Sequence, residues 1–258
     1  LQERFNIPSL YPFQRLGIQR IVEEDSEESN HEGSVVVLPT GGGKSLCFML
    51  PSLLVEGITV LVYPLLSLMH DQIRRLDEVS IPYICIQGGQ SHEERNLLLE
   101  KLKNREARIL VTNAECLCLP ALINTLAQIT ISLLVLDEAH TIISWGEGFR
   151  PALATVGPII QHLPVRQVLC FTATADKRVL HGLNRLIFPI AKPHLIHASS
   201  NRTNITYHVI RTLSKSECIA GLLRQENLLP ALVFCSTRKL TETSAHSLLY
   251  ALPDVSVR

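Results

Sequence analysis

The chain lacks several things that would have decided its class at once. Among its 258 residues there is no apolar run of the ~18 residues that cross a membrane as a helix. Leu1 opens a polar, helix-like segment, so no secretory signal is expected. Seven cysteines contain no C-x-x-C pair, which speaks against a disulfide framework and for a reducing compartment. Cys116 and Cys118 are too isolated for a zinc site and are expected as small core residues. Aromatic residues make up 5% and there is one tryptophan. Net charge is absent too, with 24 basic and 24 acidic residues, a weak argument against a protein that coats nucleic acid by charge alone. The balance is uneven, however. EEDSEESNHE, residues 23–32, holds six carboxylates, and outside it 24 basic residues face 18 acidic ones. That stretch is expected as a solvated loop.

Hydrophobic residues make up 46%, enough for a sizeable core. They come in short runs: SVVVL (34–38), ITVLVYP (58–64), YICIQ (83–87), RILVT (108–112), ISLLVLD (131–137) and RQVLCFT (166–172). Helical patterns separate them, among them PLLSLMHDQIRRLDEV, HEERNLLLEKLKN and AECLCLPALINTLAQ. Strands apolar on both faces, alternating with helices, predict an α/β fold with a parallel sheet covered on both sides. In such sheets ligands gather at the carboxyl ends of the strands. The pattern breaks in PIAKPHLIHASSNRTNI, and a linker is placed at 196–204. A second unit, 205–258, then begins with expected strands ITYHVIR, ALVFCST and VSVR and a helix over about 238–251. So short a β-α-β-α-β unit closes its own core poorly. With no initial Met, both ends are read as cuts, and the piece by itself is expected to be inactive.

Three stretches carry chemistry. VVVLPTGGGKSLCF, residues 35–48, runs from strand through three glycines into a helix. A helix N-terminus offers unpaired N–H groups and partial positive charge, and glycines remove the Cβ atoms that would hold an anion away. Lys44 adds a mobile cation for β and γ phosphates and Ser45 a hydroxyl for Mg²⁺. Leu38 stands where the strict G-x-x-x-x-G-K-[ST] pattern has its first glycine, leaving P-T-G-G-G-K-S, with Thr40, Gly41, Gly42 and Gly43 as the cradle. LLVLDEAH ends a strand in two carboxylates. Asp137 can hold Mg²⁺ and Glu138 can orient and deprotonate a water, a working minimum for phosphoryl transfer. FTATA offers Thr172 and Thr174, one side-chain period apart and so on one face of an extended segment, as a link from the carboxylate loop to whatever binds nucleic acid.

PTGGGKS, DEAH and FTATA in this order resemble superfamily 2 helicases. DEAHTIISWGEGFRPALATVG is similar to the aromatic-rich loop of RecQ-family DNA helicases. YPLLSLMHDQ, SSNRTNI and ALVFCSTRK resemble further segments of that family, and the resemblance covers essentially the whole chain. It implies two RecA-like lobes, the first at 1–195 and the start of the second at 205–258. It implies ATP with Mg²⁺ as cofactors, single-stranded and partly duplex DNA as partners, and 3′-to-5′ unwinding in DNA repair and recombination. Location would then be the nucleoid of a bacterial cytoplasm or a eukaryotic nucleus; no membrane is implied, and no oligomeric state.

The resemblance also implies roles. Gln14 stands where a glutamine reads adenine, with Tyr11 in place of a family arginine. Lys44, Asp137, Glu138 and His140 fall on catalytic positions, and Trp145, Phe149 and Arg150 on the loop that senses single strands. Single-strand binders stack bases on such aromatics at about 1–3 kcal/mol per base. Gly146 and Gly148 beside them suggest a mobile, exposed loop. Glu147 and Gly148 replace the family's histidine and aspartate, and Cys116 an arginine. Ser67, Asp71 and Gln72 are candidates for the DNA backbone. Family proteins often carry a zinc region further on; no metal besides Mg²⁺ is expected here. Two alternatives stay open: a DEAH-type RNA helicase, and a nucleic-acid-binding module with a degenerate ATPase.

Overall fold

The structure, a computed structural model, describes residues 2–24, 32–39, 41–146, 148–198, 204–225, 228–253 and 256. The chain divides into two compact units, Leu1–Asn201 and Arg202–Arg258.

The first unit opens with α1 (Gln2–Phe5) and α2 (Pro12–Glu24). Seven strands follow: β1 (Glu32–Val37), β2 (Ile58–Tyr63), β3 (Tyr83–Ile86), β4 (Ile109–Asn113), β5 (Ile131–Leu136), β6 (Val165–Thr172) and β7 (His194–His197). They form one sheet in the order β3-β4-β2-β5-β6-β1-β7, and every pairing is parallel. Between them run α3 (Leu46–Leu54), α4 (Leu66–Glu78), α5 (His92–Lys103), α6 (Ala114–Leu117), α7 (Pro120–Leu126), α8 (His140–Trp145), α9 (Pro151–Gln161) and α10 (Lys177–Leu186). Each parallel pair needs a crossover, and the helices supply it.

Alternate strand residues feed two separate cores. Val35, Val37, Val60, Val62, Leu134 and Leu136 pack on one face with Leu153, Val156 and Leu183. Val36, Leu61, Val135, Leu169 and Phe171 pack on the other with Phe48, Met69 and Leu76. Both faces are therefore covered, as the unbroken apolar runs require, and each fully buried Leu or Val contributes about 1.5–3 kcal/mol.

Three local expectations change. AECLCLPALINTLAQ, read as one helix, is two, because Pro120 takes the first position of α7 and cannot donate back to the turn before it. The segment read as a break in the pattern carries β7, an edge strand held by β1 alone. Its residues are mostly exposed and so gave no buried run to find. In the second unit, α11 (Lys215–Leu223) and α12 (Arg238–Ala251) form. The strands expected at 205–211 and 231–237 do not form among the described residues; an extended run becomes a strand only beside a backbone that takes up its hydrogen bonds. The small core of this unit centres on Ala220, Leu248 and Leu252. Most of VSVR, and residues 25–31 of the acidic stretch, lie outside the described residues.

The packing of α9 on α10 depends on one glycine. A Cβ at Gly157 would run into the carbonyl oxygen of Leu186, a backbone atom that cannot rotate away. A Cβ at Gly88 would meet nothing within 4 Å. Gly157→Ala should therefore destabilise the fold by about 1–3 kcal/mol, and Gly88→Ala by less than about 0.5 kcal/mol. Urea titration of the two variants against wild type checks the difference.

Candidate nucleotide site and aromatic loop

β5, β6 and β1 are neighbours, so the three motifs at their carboxyl ends meet. The glycine loop leaves β1 and enters α3 one residue after Ser45. Gly41 and Gly43 have φ of +81° and +71°, a conformation that a Cβ penalises. A side chain at Gly43 would also strike the amide of Gln14. Gln14 is buried. Its Nε2 donates to the carbonyls of Gly42 and Gly43 at 3.3 Å each, and its Oε1 accepts from the Tyr11 N–H at 2.9 Å. The glutamine thus braces the glycine loop from α2. Thr40 lies outside the described residues.

Lys44 reaches across to β5. Its Nζ donates to Glu138 Oε1 at 2.7 Å, and both side chains are well shielded, at 13% and 24% exposure. Glu138 has φ +48°, a left-handed conformation that is costly for a residue with a Cβ. The fold enforces it from both sides: the Ala139 N–H donates to Phe171 O at 2.8 Å, and Thr141 Oγ1 donates to Glu138 O at 2.8 Å. The carboxylate is thereby aimed at Lys44.

Asp137 is held differently. Its Oδ1 is buried with no hydrogen-bond partner. Burial raises its carboxyl above the ordinary value of 3.8, Lys44 pulls it down, and Glu138 pushes it up again. Beneath it Tyr63 is buried, and burial and then Asp137 push its phenol up. A carboxylate oxygen without a partner and a serine hydroxyl at the ends of neighbouring motifs are the donor chemistry that Mg²⁺ takes, so these residue types fit that ion with a nucleotide. Ser45 Oγ itself accepts from Arg75 Nη1 of α4 at 2.8 Å, a partner that the sequence pattern did not suggest. The inward positions of α4 are Met69, Gln72 and Leu76, and nothing in that spacing says that Arg75 reaches residue 45.

His140 joins the second and third motifs. Its Nδ1 lies 3.0 Å from Thr172 Oγ1 and 3.4 Å from Glu138 Oε2. Thr172 Oγ1 donates its single proton to Thr174 O at 2.8 Å, so the imidazole must supply the proton at Nδ1. Thr174 N–H donates back to Thr172 Oγ1 at 3.2 Å. The expectation of two hydroxyls on one extended face is corrected here: the chain turns after β6, and Thr172 holds the backbone of Thr174 instead of lying beside its side chain.

α8 begins at His140 and ends at Trp145. Trp145 is half-buried and packs on the core, meeting Phe149 edge to face at 5.7 Å and 81°. Phe149 is 74% exposed. Gly146 is not a sign of mobility: it is buried, and a Cβ there would press on Ile142 O and on Ala154. Gly148 is open, and Glu147 lies outside the described residues. Arg150 Nε is 3.3 Å from Glu115 Oε1 on α6, so it binds a carboxylate away from the glycine loop. Ser67 is exposed in the first turn of α4. Of its two companions, Asp71 pairs with Arg74 at 2.9 Å. Gln72 turns inward, its Nε2 donating to Met49 Sδ at 3.1 Å, which removes it from any DNA-facing set. Cys116 is a core residue and Cys118 a half-buried one. Among the described residues no His/Cys/Asp/Glu group could hold a metal by itself.

A strand-borne glycine loop, a carboxylate pair on the strand two places away and a threonine turn between them thus meet at one corner of the sheet. The DEAD/DEAH box helicase family matches residues 11–181, and the chain belongs to that family. Over most of its length it is similar to RecQ-type proteins. It is 36% identical over 191 residues to the ATP-dependent DNA helicase RecQ of Synechocystis, covering 70% of this chain and 39% of that one. It is 37% identical over 223 residues to the probable ATP-dependent DNA helicase RecS of Bacillus subtilis, covering 84% and 44%. The RecQ-like DNA helicase BLM of Xenopus laevis is 29% identical over 228 residues, covering 84% and 17%. The chain spans less than half of each of these relatives. Its fold matches the crystal structure of the DUF1998 helicase MrfA bound to DNA and AMPPNP, with TM-score 0.70, 19% identity and coverage of 97% and 37%. It also matches the DEAD-box helicase Mss116 bound to ssRNA and UDP-BeF, with TM-score 0.66, 18% identity and coverage of 97% and 55%. Among the described residues no helix is long and apolar enough to cross a membrane.

Asp137 gives a test in the nucleotide-free protein. A buried carboxylate with one oxygen unpartnered destabilises the fold more than a neutral amide in its place. Asp137→Asn should raise the melting temperature at pH 7 by roughly 2–4 °C, for about 1 kcal/mol, and should abolish any further gain from Mg²⁺ with nucleotide. A carboxyl whose folded pKa is raised contributes stability below its unfolded pKa and loses it as pH rises through the folded one. The gap between variant and wild type should therefore close as pH falls below 3.8. Thermal melts across pH check both statements.

Proposed function

We propose that this chain is the nucleotide-binding part of an ATP-dependent DNA helicase of RecQ type, which couples ATP hydrolysis to 3′-to-5′ movement along single-stranded DNA. The observation that carries the reading is the continuous path from Lys44 through Glu138 and His140 to Thr172, with α8 leading from His140 to Trp145. Its direction and unwinding activity rest on the similarity to the RecQ-type relatives.

The chemistry follows from the side chains. Gln14, whose amide is spent on the glycine loop and on Tyr11, would have to exchange those bonds to read adenine; Gly41 to Gly43 and Thr40 cradle the phosphates, and Lys44 exchanges Glu138 for the β and γ oxygens. That exchange frees Glu138 to orient a water and take its proton. Ser45 and Asp137 would hold Mg²⁺, which supplies charge neutralisation at the phosphates. His140 relays the state of Glu138 to Thr172 and Thr174, and so to the turn after β6. Phe149 presents an open aromatic face for a base and Trp145 backs it; Ser67, exposed on α4, and Arg150, once released from Glu115, would meet the strand's phosphates. The exposed ring is the one suited to stacking; the half-buried one transmits its position to the core.

On this reading residues 205–258 begin a second RecA-like lobe, and the linker before it starts after β7 rather than at 196, because Ile196 and His197 pair with β1. The protein would work where the cell keeps its DNA, in a bacterial nucleoid or a eukaryotic nucleus, on single-stranded and partly duplex DNA.

The decisive experiment measures ATPase rate in the complete protein against single-stranded DNA and RNA. Stimulation by DNA well above RNA is expected; equal stimulation would favour an RNA helicase instead. Lys44→Ala should abolish nucleotide binding and turnover. Glu138→Gln should keep binding but lower kcat by about 10²–10⁴, the usual worth of a general base. Phe149→Ala and Trp145→Ala should each weaken stimulation by single-stranded DNA, by about tenfold in the concentration needed, with nucleotide affinity unchanged. Wild-type stimulation in both would remove the loop from the mechanism.

A further inference from the structure

Arg74 and Arg75 are adjacent on α4, yet they do different things. Arg74 pairs with Asp71 on its own helix at 2.9 Å. Arg75 leaves the helix and donates from Nη1 to Ser45 Oγ at 2.8 Å. Its charge is felt further in: it draws the carboxyl of Asp137 and the phenol of Tyr63 downward, against the effect of their burial.

The corner therefore holds two cations and two carboxylates. Lys44 sits on Glu138. Arg75 sits on Ser45, and its charge reaches Asp137, whose Oδ1 is buried without a hydrogen-bond partner. Ser45 and Asp137 are the pair that fits Mg²⁺. A guanidinium on that hydroxyl occupies one of its lone pairs and repels a divalent cation arriving at the same oxygen.

We propose that Arg75 is a positioning residue that stands in for the divalent cation at the Ser45–Asp137 corner, and that Mg²⁺ with nucleotide must displace it. The proposal rests on the reading of this site as a phosphate site. Lys44 and Arg75 then form a matched pair: one keeps the water-orienting carboxylate occupied, the other the metal corner. Each gives up its partner when the phosphates and their ion enter. Arg75 thereby raises the Mg²⁺ concentration at which nucleotide is held tightly. It also lends the corner positive charge when Mg²⁺ is scarce.

The test uses the 258-residue chain and a fluorescent ADP analogue, titrated first with EDTA present and then with increasing Mg²⁺. In Arg75→Gln the Mg²⁺ midpoint should fall by about threefold or more, because a charged hydrogen bond to Ser45 is gone. Affinity in EDTA should fall as well, because the charge is gone. Arg75→Lys, which restores the charge, should bring the midpoint back to within about twofold of wild type. Arg75→Met, uncharged and of similar reach, is read as the glutamine variant is, should the latter melt early. A merely structural arginine would leave the midpoint where it is. An unchanged or higher midpoint in a variant with a wild-type melting temperature overturns the proposal, as does a lysine variant that shifts as far as the glutamine one. Lys44→Ala separates the two layers. If wild type binds and Lys44→Ala does not, the phosphate site stands whatever Arg75 does. If wild type shows no nucleotide binding, the phosphate reading fails and this proposal falls with it.

Discussion

Strands β5, β6 and β1 hydrogen-bond side by side, in parallel and in register: Leu136 faces Cys170, and Val37 faces Thr172. That ladder brings three carboxyl ends level with one another. Shift one strand by a residue and every side chain on it changes face. Asp137 would then leave the site and its apolar neighbours would leave the core. The site is thus as fixed as the two cores that clamp the sheet, Val135 and Leu169 on one side and Leu134 and Val168 on the other.

Upon this frame the nucleotide corner is arranged at some expense of stability. Glu138 has a left-handed backbone, Asp137 an unpartnered oxygen and a raised carboxyl, and Gly41 and Gly43 sit where only glycine is comfortable. Such features collect where a site is prepared for a ligand rather than for the empty protein. Cations already present, Lys44 and Arg75, partly offset the two acids. The site is nearly self-neutral before anything binds, which keeps a charged pocket tolerable at the edge of an apolar core.

The carboxylate motif and the aromatic loop are joined through a short helix. α8 spans six residues, roughly 9 Å, with His140 at one end on Thr172 and Glu138, and Trp145 at the other on the core. Phe149 meets Trp145 at the far end of that element. Gly146, packed against α9, makes the helix end stiff. Stiffness suits a coupling element better than the mobility that two glycines first suggest.

Much of this was legible in the residues. Apolar runs on both strand faces predicted the covered parallel sheet. The glycines, Lys44, Ser45 and the Asp137–Glu138 pair were expected together because each residue type answers one need of phosphoryl chemistry, and Lys44 does meet Glu138. Partners distant in sequence were not legible. Arg75 on Ser45, Arg150 on Glu115 and Gln14 on the glycine loop join positions 30, 35 and 28 or 29 residues apart, and no periodicity links such pairs. The turn at Thr174, the packing role of Gly146 and the inward Gln72 were likewise settled by neighbours from other elements. The sequence by itself determined which groups are present and which face of each strand they take, since those follow from local alternation. Only the tertiary structure decided which groups meet, because strand order places β6 between β1 and β5, and that order is set by how all the helices pack at once.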